Sequence, residues 1–212
     1  MNPQRTRVKI CGMTNTSDIN AAVTVGSDAI GVICDVPVDT PRDVSRTRAA
    51  ELIAAVPPFV TSVLVTMPTN ESDAIELIDT LQPDAVQLHG VDSLSMINAI
   101  RDHCSVIVAL DATDAETVHA IDAVADMLLL DSTDEQGAGG TGETTDWERA
   151  HELVNAVTTP VVLAGGLTPE NVADAVSAVR PFGVDVASGV EGNDGKDHDA
   201  IAQFVRRAVE AT

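Results

Sequence analysis

Short apolar runs and amphipathic stretches alternate along this chain almost without pause. The runs are RVKIC (7–11), AIGVIC (29–34), VTSVLV (60–65), AVQLH (85–89), SVIVAL (105–110), MLLLD (127–131), VVLAG (161–165) and GVDVAS (183–188). Each is rich in Val, Ile and Leu and has the length of a strand rather than a helix. Between them apolar residues recur at helical spacing: Ala49, Leu52, Ile53 and Val56; Val172, Ala173, Val176 and Val179; Ile201, Phe204, Val205 and Ala208. Gly26 reads as the end of the first helix, after Val25. Thr168-Pro169 reads as an N-cap followed by proline at the first helical position. Strands alternating with helices in this way predict a parallel sheet. No composition break marks a linker, so residues 1–212 are expected to form one (β/α)8 barrel, close to the lower size limit of about 200 residues for that fold. The alternative is an open doubly wound sheet. It would want a GxGxxG turn after the first strand, where this chain has GMTNTS.

Side chains alternate along a strand. The face that meets helices should be apolar, which sends Val8 and Ile10 outward and Lys9 and Cys11 into the barrel. The same parity points Gln87, His89, Ala109, Asp111 and Asp131 inward. Polar groups thus gather at the carboxyl ends of strands one, four, five and six, where burial is costly unless they are paired or working. Each also has a plainer reading: Cys11 as a small buried hydrophobe, Asp131 as a loop cap, His89 as a satisfied hydrogen-bonding residue, Asp111 as a turn residue. Two strand-to-helix connections are longer than the rest, at 35–43 and 133–145, and such loops build the ligand-binding face of a barrel. Glycines cluster at GAGGTG (137–142), AGG (164–166) and SGV (188–190). The pairs after strands seven and eight suit a phosphate held by backbone N–H groups.

Several segments together resemble the phosphoribosylanthranilate isomerase family of tryptophan biosynthesis: KICGMT (9–14), TPRDVS (40–45), VQLHG (86–90), LLLDS (128–132), GGTGETTDW (139–147), AGGLTPENV (164–172) and VDVASGVE (184–191), in the family's order. The resemblance implies an Amadori rearrangement of a phosphosugar, N-(5-phosphoribosyl)anthranilate, with no cofactor and no metal. It makes Cys11 the general base and Asp131 the general acid. Arg42 would grip the anthranilate carboxylate, and Gly165, Gly166, Ser188 and Gly189 would hold the phosphate. Gln87, His89 and the loop glycines Gly140 and Gly142 complete the expected substrate-binding set, and the long sixth loop would close over the substrate. A cysteine base must act as thiolate, with Lys9 as a helper, whereas Asp131 must hold its proton near neutrality. The chain departs from the family pattern at VLVTMPTN after strand three, ALDATD after strand five, Ala164, and NDGKD (193–197), which lacks a proline. Rival phosphosugar barrels stay open. An indoleglycerol-phosphate synthase would want a lysine acid, for which Lys9 is the candidate, and a pentose-phosphate epimerase would want metal ligands. A non-catalytic phosphate sensor is the rival of another class.

Composition adds a setting. Twelve basic residues stand against 33 acidic ones, a net charge of −21, while 44% of residues are hydrophobic. The acid must coat a folded surface, which disfavours nucleic acid and anionic membranes as partners. The expected partner is a small molecule, with the chain a monomer or homodimer. Three cysteines at scattered spacings fit a reducing cytoplasm. No apolar run has the length of a membrane span, and the first residues lack the apolar segment of a signal peptide. So acidic a coat suits high salt, where counterions screen self-repulsion. The melting temperature is therefore expected to climb from dilute buffer to molar KCl; full stability without added salt would remove this reading.

Overall fold

The apolar runs pair side by side in chain order and the last returns to the first. In the computed structural model, which describes residues 5–131, 146–193 and 195–211, the strands are β1 (Arg7–Ile10), β2 (Ala29–Ile33), β3 (Thr61–Thr66), β4 (Ala85–His89), β5 (Ser105–Asp111), β6 (Met127–Asp131), β7 (Val161–Leu163) and β8 (Gly183–Val186). All are parallel, and β8 closes the barrel on β1 with Lys9 opposite Asp185. This is the expected (β/α)8 barrel; the doubly wound alternative is excluded by the closure. The helices that follow the strands are α1 (Thr16–Thr24), α2 (Arg46–Ala54), α3 (Glu71–Leu81), α4 (Leu94–Arg101), α5 (Ala115–Ile121), α6 (Trp147–Ala156), α7 (Val172–Val179) and α8 (His198–Glu210). A short antiparallel pair, β9 (Glu191–Gly192) and β10 (Gly195–Lys196), lies between β8 and α8.

Local chemistry explains where the helices start. Asn15, Ser45, Asn70, Ser93, Asp114, Asp146 and Asp197 each accept a backbone N–H two or three residues further on. Each such cap contributes about 1 kcal/mol. The start of α7 differs from the expected one. Thr168 opens a tight turn, its hydroxyl accepting from Glu170 N and its carbonyl from Val172 N, and the regular helix begins at Val172. Asn171 cannot cap it, because its side chain folds back to Gly166 O and Thr168 N. At the other end of the pattern, α2 stops at Ala54, so Val56 packs beyond the helix as a half-buried residue.

The strands separate two apolar layers. Val8, Ile10, Ile30, Val32, Leu64, Leu88, Leu128 and Leu130 face the helices. Cys11, Val63, Val65, Ala85, Ile107, Ala109, Leu129, Val162 and Ala164 fill the barrel. Strand parity therefore runs as the sequence predicts, and it decides which side chains reach the mouth.

A second device ties the strands in pairs. Asp28, Asp84 and Asp126 each stand one residue before an even-numbered strand. Each carboxylate accepts the backbone N–H of a residue in the preceding odd strand: Val8 at 2.9 Å, Ser62 at 2.8 Å and Val106 at 2.9 Å. The fourth pair lacks the carboxylate: Phe182 stands before β8, with its amide bonded to Val161 O. These bonds satisfy strand-start donors at the end of the barrel away from the mouth.

Candidate active site

Strand ends deliver the candidate residues to one place. Cys11, Arg42, Gln87, His89, Asp131, Gly165, Gly166 and Ser188 all border a single cavity at the carboxyl ends of the strands. Gly189 sits just behind, in the 3-10 turn Ser188–Val190. A Cβ on it would lie within bonding distance of Leu167 O, so only glycine lets the β8 turn close on the loop after β7. Gly165 and Gly166 both take left-handed backbone conformations, φ 84° and 59°. Gly140, Gly142 and the loop expected to close over the substrate lie outside the described residues. Among the described residues no group of three or more His, Cys, Asp or Glu is arranged to hold a metal.

Cys11 continues β1 past its last ladder residue, its amide bonded to Val186 O at 2.8 Å. The residue is 5% exposed. Two glycines make room around it. A Cβ on Gly31 would stand 2.8 Å from Cys11 Sγ, and one on Gly12 would stand 2.7 Å from Arg42 Cδ. Beneath the thiol, Lys9 Nζ donates to Asp185 Oδ1 at 3.0 Å. Burial works to lower the Lys9 pKa, but the Asp185 carboxylate and the Cys11 thiol outweigh it and leave it raised. Burial pushes the Cys11 thiol above its ordinary value; Lys9 and Lys196 pull it down without overcoming that, and Asp185 adds to the rise. Lys9 thus acts on Cys11 in the direction a helper requires, while burial keeps the balance on the side of the thiol. Cys34 is pushed up to about 12 and Cys104 to about 11, each first by burial and then by neighbouring carboxylates.

Across the cavity Asp131 ends β6, 7% exposed, with Asp111 as its cross-strand partner. Asp111 behaves as the turn residue it resembled, accepting from Thr113 N and Oγ1, both at 2.7 Å. Gln87 and His89 face inward and meet each other, Nε2 to Nε2, at 2.6 Å. Burial, with the Lys9 cation second, lowers the His89 pKa to about 4, so the imidazole is neutral near pH 7. The Gln87 amide donates, so His89 accepts at Nε2 and carries its proton on Nδ1.

Arg42 comes from the long second loop and lies over Gly12. Its Nε and Nη2 reach Glu191 Oε1 and Oε2 at 2.6 and 2.9 Å. Lys196 Nζ joins the same carboxylate at 3.1 Å and Ala187 O at 2.8 Å. Asp185 and Glu191 are site residues that the sequence reading did not single out. Asp185 carried a signal, since it alternates with Val184 and Val186 and so shares the inward face. Lys196 carried another, as one of only two lysines in so acidic a chain.

A second hollow, of about 320 Å³, opens at the opposite end of the barrel, lined by Phe59, Ile107, Met127, Leu129, Val162 and Phe182 among others. Its lining is mainly apolar, and two of its charged residues, Arg7 and Asp28, are paired with each other at 3.0 Å. The mouth is the cavity that brings Cys11 and Asp131 together.

Comparison with known proteins identifies the family. A family model described as N-(5'phosphoribosyl)anthranilate (PRA) isomerase matches residues 8–207. The chain is 57% identical over 205 residues to the N-(5'-phosphoribosyl)anthranilate isomerase of Halorubrum lacusprofundi, covering 95% of this chain and 96% of that one. A crystal structure of phosphoribosylanthranilate isomerase in complex with reduced 1-(o-carboxyphenylamino)-1-deoxyribulose 5-phosphate is similar with a TM-score of 0.81 at 33% identity, covering 96% of this chain and 98% of that one. Monomers of the dimeric phosphoribosylanthranilate isomerase of Thermotoga maritima give a TM-score of 0.80 at 32% identity, again with 96% and 98% covered.

The raised thiol predicts a measurable reactivity. At pH 7.5 iodoacetamide should alkylate Cys11 far more slowly than a free thiol, with the rate still rising beyond pH 9, as followed by mass spectrometry of the folded protein. Fast labelling of Cys11 near neutrality would show a thiolate already formed and overturn this expectation.

Proposed function

The chain belongs to the N-(5'-phosphoribosyl)anthranilate isomerase family and isomerises phosphoribosylanthranilate in tryptophan biosynthesis; within that activity we propose that Cys11 and Asp131 divide the proton transfers. The observation that carries this reading is that the two side chains border one cavity from β1 and β6. Asp131 arrives protonated and gives its proton to the furanose ring oxygen. The ring opens to an iminium ion. Cys11, as thiolate, removes the proton from C2, and the electron pair moves toward the cationic nitrogen. The resulting enolamine tautomerises to the ketone, 1-(2-carboxyphenylamino)-1-deoxyribulose 5-phosphate. The substrate's own nitrogen is the electron sink, so the sequence of steps closes without another group. Lys9 offsets the negative charge on sulfur as the thiolate forms.

Binding roles follow from position. Gly165, Gly166, Ser188 and Gly189 form the loops in which phosphate is held by backbone N–H groups. Arg42 pairs the anthranilate carboxylate, for which a planar guanidinium is suited. Gln87 Oε1 is buried and meets no hydrogen-bond donor among the described residues, so a substrate hydroxyl would satisfy it. The three free cysteines support a cytoplasmic setting.

A homodimer is the assembly we favour. Phe59, on the turn between α2 and β3, is fully exposed at φ 73°, at the rim of the hollow at the end of the barrel opposite the mouth. A large apolar side chain held outward in a conformation unusual for a non-glycine residue suits insertion into the same hollow of a second copy.

Two outcomes test these roles. Cys11→Ala and Asp131→Asn are each expected to lower kcat by about 10²–10⁴-fold, with KM changed far less. Turnover is followed as loss of phosphoribosylanthranilate fluorescence, with the substrate generated in situ; near-normal kcat in either variant rejects that residue's role. In light scattering at high salt the protein should show twice the chain mass and Phe59→Glu the mass of one chain; a monomeric parent protein rejects the dimer.

A further inference from the structure

Arg42 is held by more than the substrate it is read to bind. Its guanidinium has five N–H donors. Glu191 takes two along the side-on edge, Nε and one on Nη2. Among the described residues no side chain takes the end-on edge, Nη1 with the second N–H of Nη2, and Arg42 borders the cavity that Cys11 and Asp131 share.

Glu191 is itself fixed from three directions. The buried Lys196 ammonium, with a side chain 2% exposed, bonds its Oε1. Lys196 and Glu191 are cross-strand partners in the β9–β10 pair. That pair is docked on α1: Asp18 Oδ2 accepts Lys196 N at 3.2 Å, and Asp18 Oδ1 meets His198 Nε2 at 2.8 Å. Beneath Arg42, the absent side chain of Gly12 leaves the space its methylenes occupy. A long, entropy-rich arginine on a loop is thus locked by one carboxylate, one hidden cation and a two-stranded brace.

We infer that Glu191, backed by Lys196, is a positioning residue that presents the end-on edge of Arg42 to the carboxylate of the substrate and so sets selectivity for a carboxylated aryl group. This rests on the reading of Arg42 given above. The brace lowers the ordering cost of binding, because the guanidinium already stands in its bound orientation. Two carboxylates can share one guanidinium only if they take different edges, and Glu191 has the side-on one.

The test compares two competitive ligands: reduced 1-(o-carboxyphenylamino)-1-deoxyribulose 5-phosphate, the compound bound in the related crystal structure, and its counterpart with phenyl in place of carboxyphenyl. Each is titrated against the parent protein, Glu191→Gln, Lys196→Gln, Arg42→Ala and the Arg42→Ala/Glu191→Gln double variant, with folding checked by circular dichroism. Glu191→Gln is expected to weaken the carboxylated ligand about tenfold, roughly one lost charge-assisted hydrogen bond, and the other ligand less than about twofold. For turnover the same variant should raise KM more than it lowers kcat. Added to Arg42→Ala, it should change nothing further. If Glu191→Gln does not fold, Lys196→Gln should show the same preference for weakening the carboxylated ligand. Equal weakening of both ligands, tighter binding of the carboxylated one, or an additive effect on Arg42→Ala overturns the inference. Unchanged affinity in Arg42→Ala alone removes the reading of Arg42 itself, and this inference with it.

Discussion

The pair Lys9–Asp185 is the interaction on which the rest turns. The two are cross-strand partners on β1 and β8, the seam where the barrel closes, and their side chains are 6% and 8% exposed. Taking either charge out of water alone would cost several kcal/mol, so each is tolerable only with the other. The pair therefore couples closure of the fold to charge placement inside it. It also sets the site, because β1 runs directly on to Cys11 and β8 to Ser188. The proposed base and the proposed phosphate loop thus share one anchor, and the cation in that anchor lies where it lowers the cost of a thiolate.

Charge elsewhere follows a different logic. The surface is strongly acidic, yet both lysines of the chain are buried, bonded to Asp185 and Glu191. Exposed cations are arginines in pairs such as Arg46–Asp35 and Arg101–Asp126. Exposed pairs of this kind contribute about 0–1 kcal/mol each and are screened by salt. In molar salt the screening length falls to about 3 Å. The acidic coat then ceases to repel an anionic substrate at a distance, while contact pairs inside the mouth keep most of their strength. The high-salt reading, in keeping with the Halorubrum relative, and the catalytic reading are in this way compatible: long-range repulsion is removed by the medium, and short-range attraction is supplied by Lys9, Arg42 and Lys196.

Period-two alternation was the most legible feature of the sequence. It follows from backbone geometry alone, so placing Val8 and Ile10 against helices was enough to send Lys9 and Cys11 inward, and the same held for Gln87, His89 and Asp131. Contacts made by closure were not legible. Arg42 and Glu191 are 149 residues apart, and nothing local to either requires the other. Asp28, Asp84 and Asp126 carry no local signal of their role, since each bonds to a strand about twenty residues earlier. The start of α7 was misplaced for a related reason: Asn171 spends its side chain on the glycine loop before it, a demand of the site rather than of the helix.

The glycines around Cys11 show how far function shapes local sequence here. Glycine loses more backbone entropy on folding than any other residue and adds no packing, so Gly31 within β2 is a local disadvantage. At that position even alanine would press on Cys11 Sγ, and at Gly12 it would press on the stem of Arg42. Both positions give up a methyl group so that a reactive side chain can occupy the volume. Gly12 makes way for the stem of Arg42, the proposed carboxylate-binding arm, and Gly31 for the thiol of Cys11, the proposed base. The tightest constraint on the motif KICG is therefore partly steric: the thiol is useful only if the neighbouring strand and the following turn both make way for it.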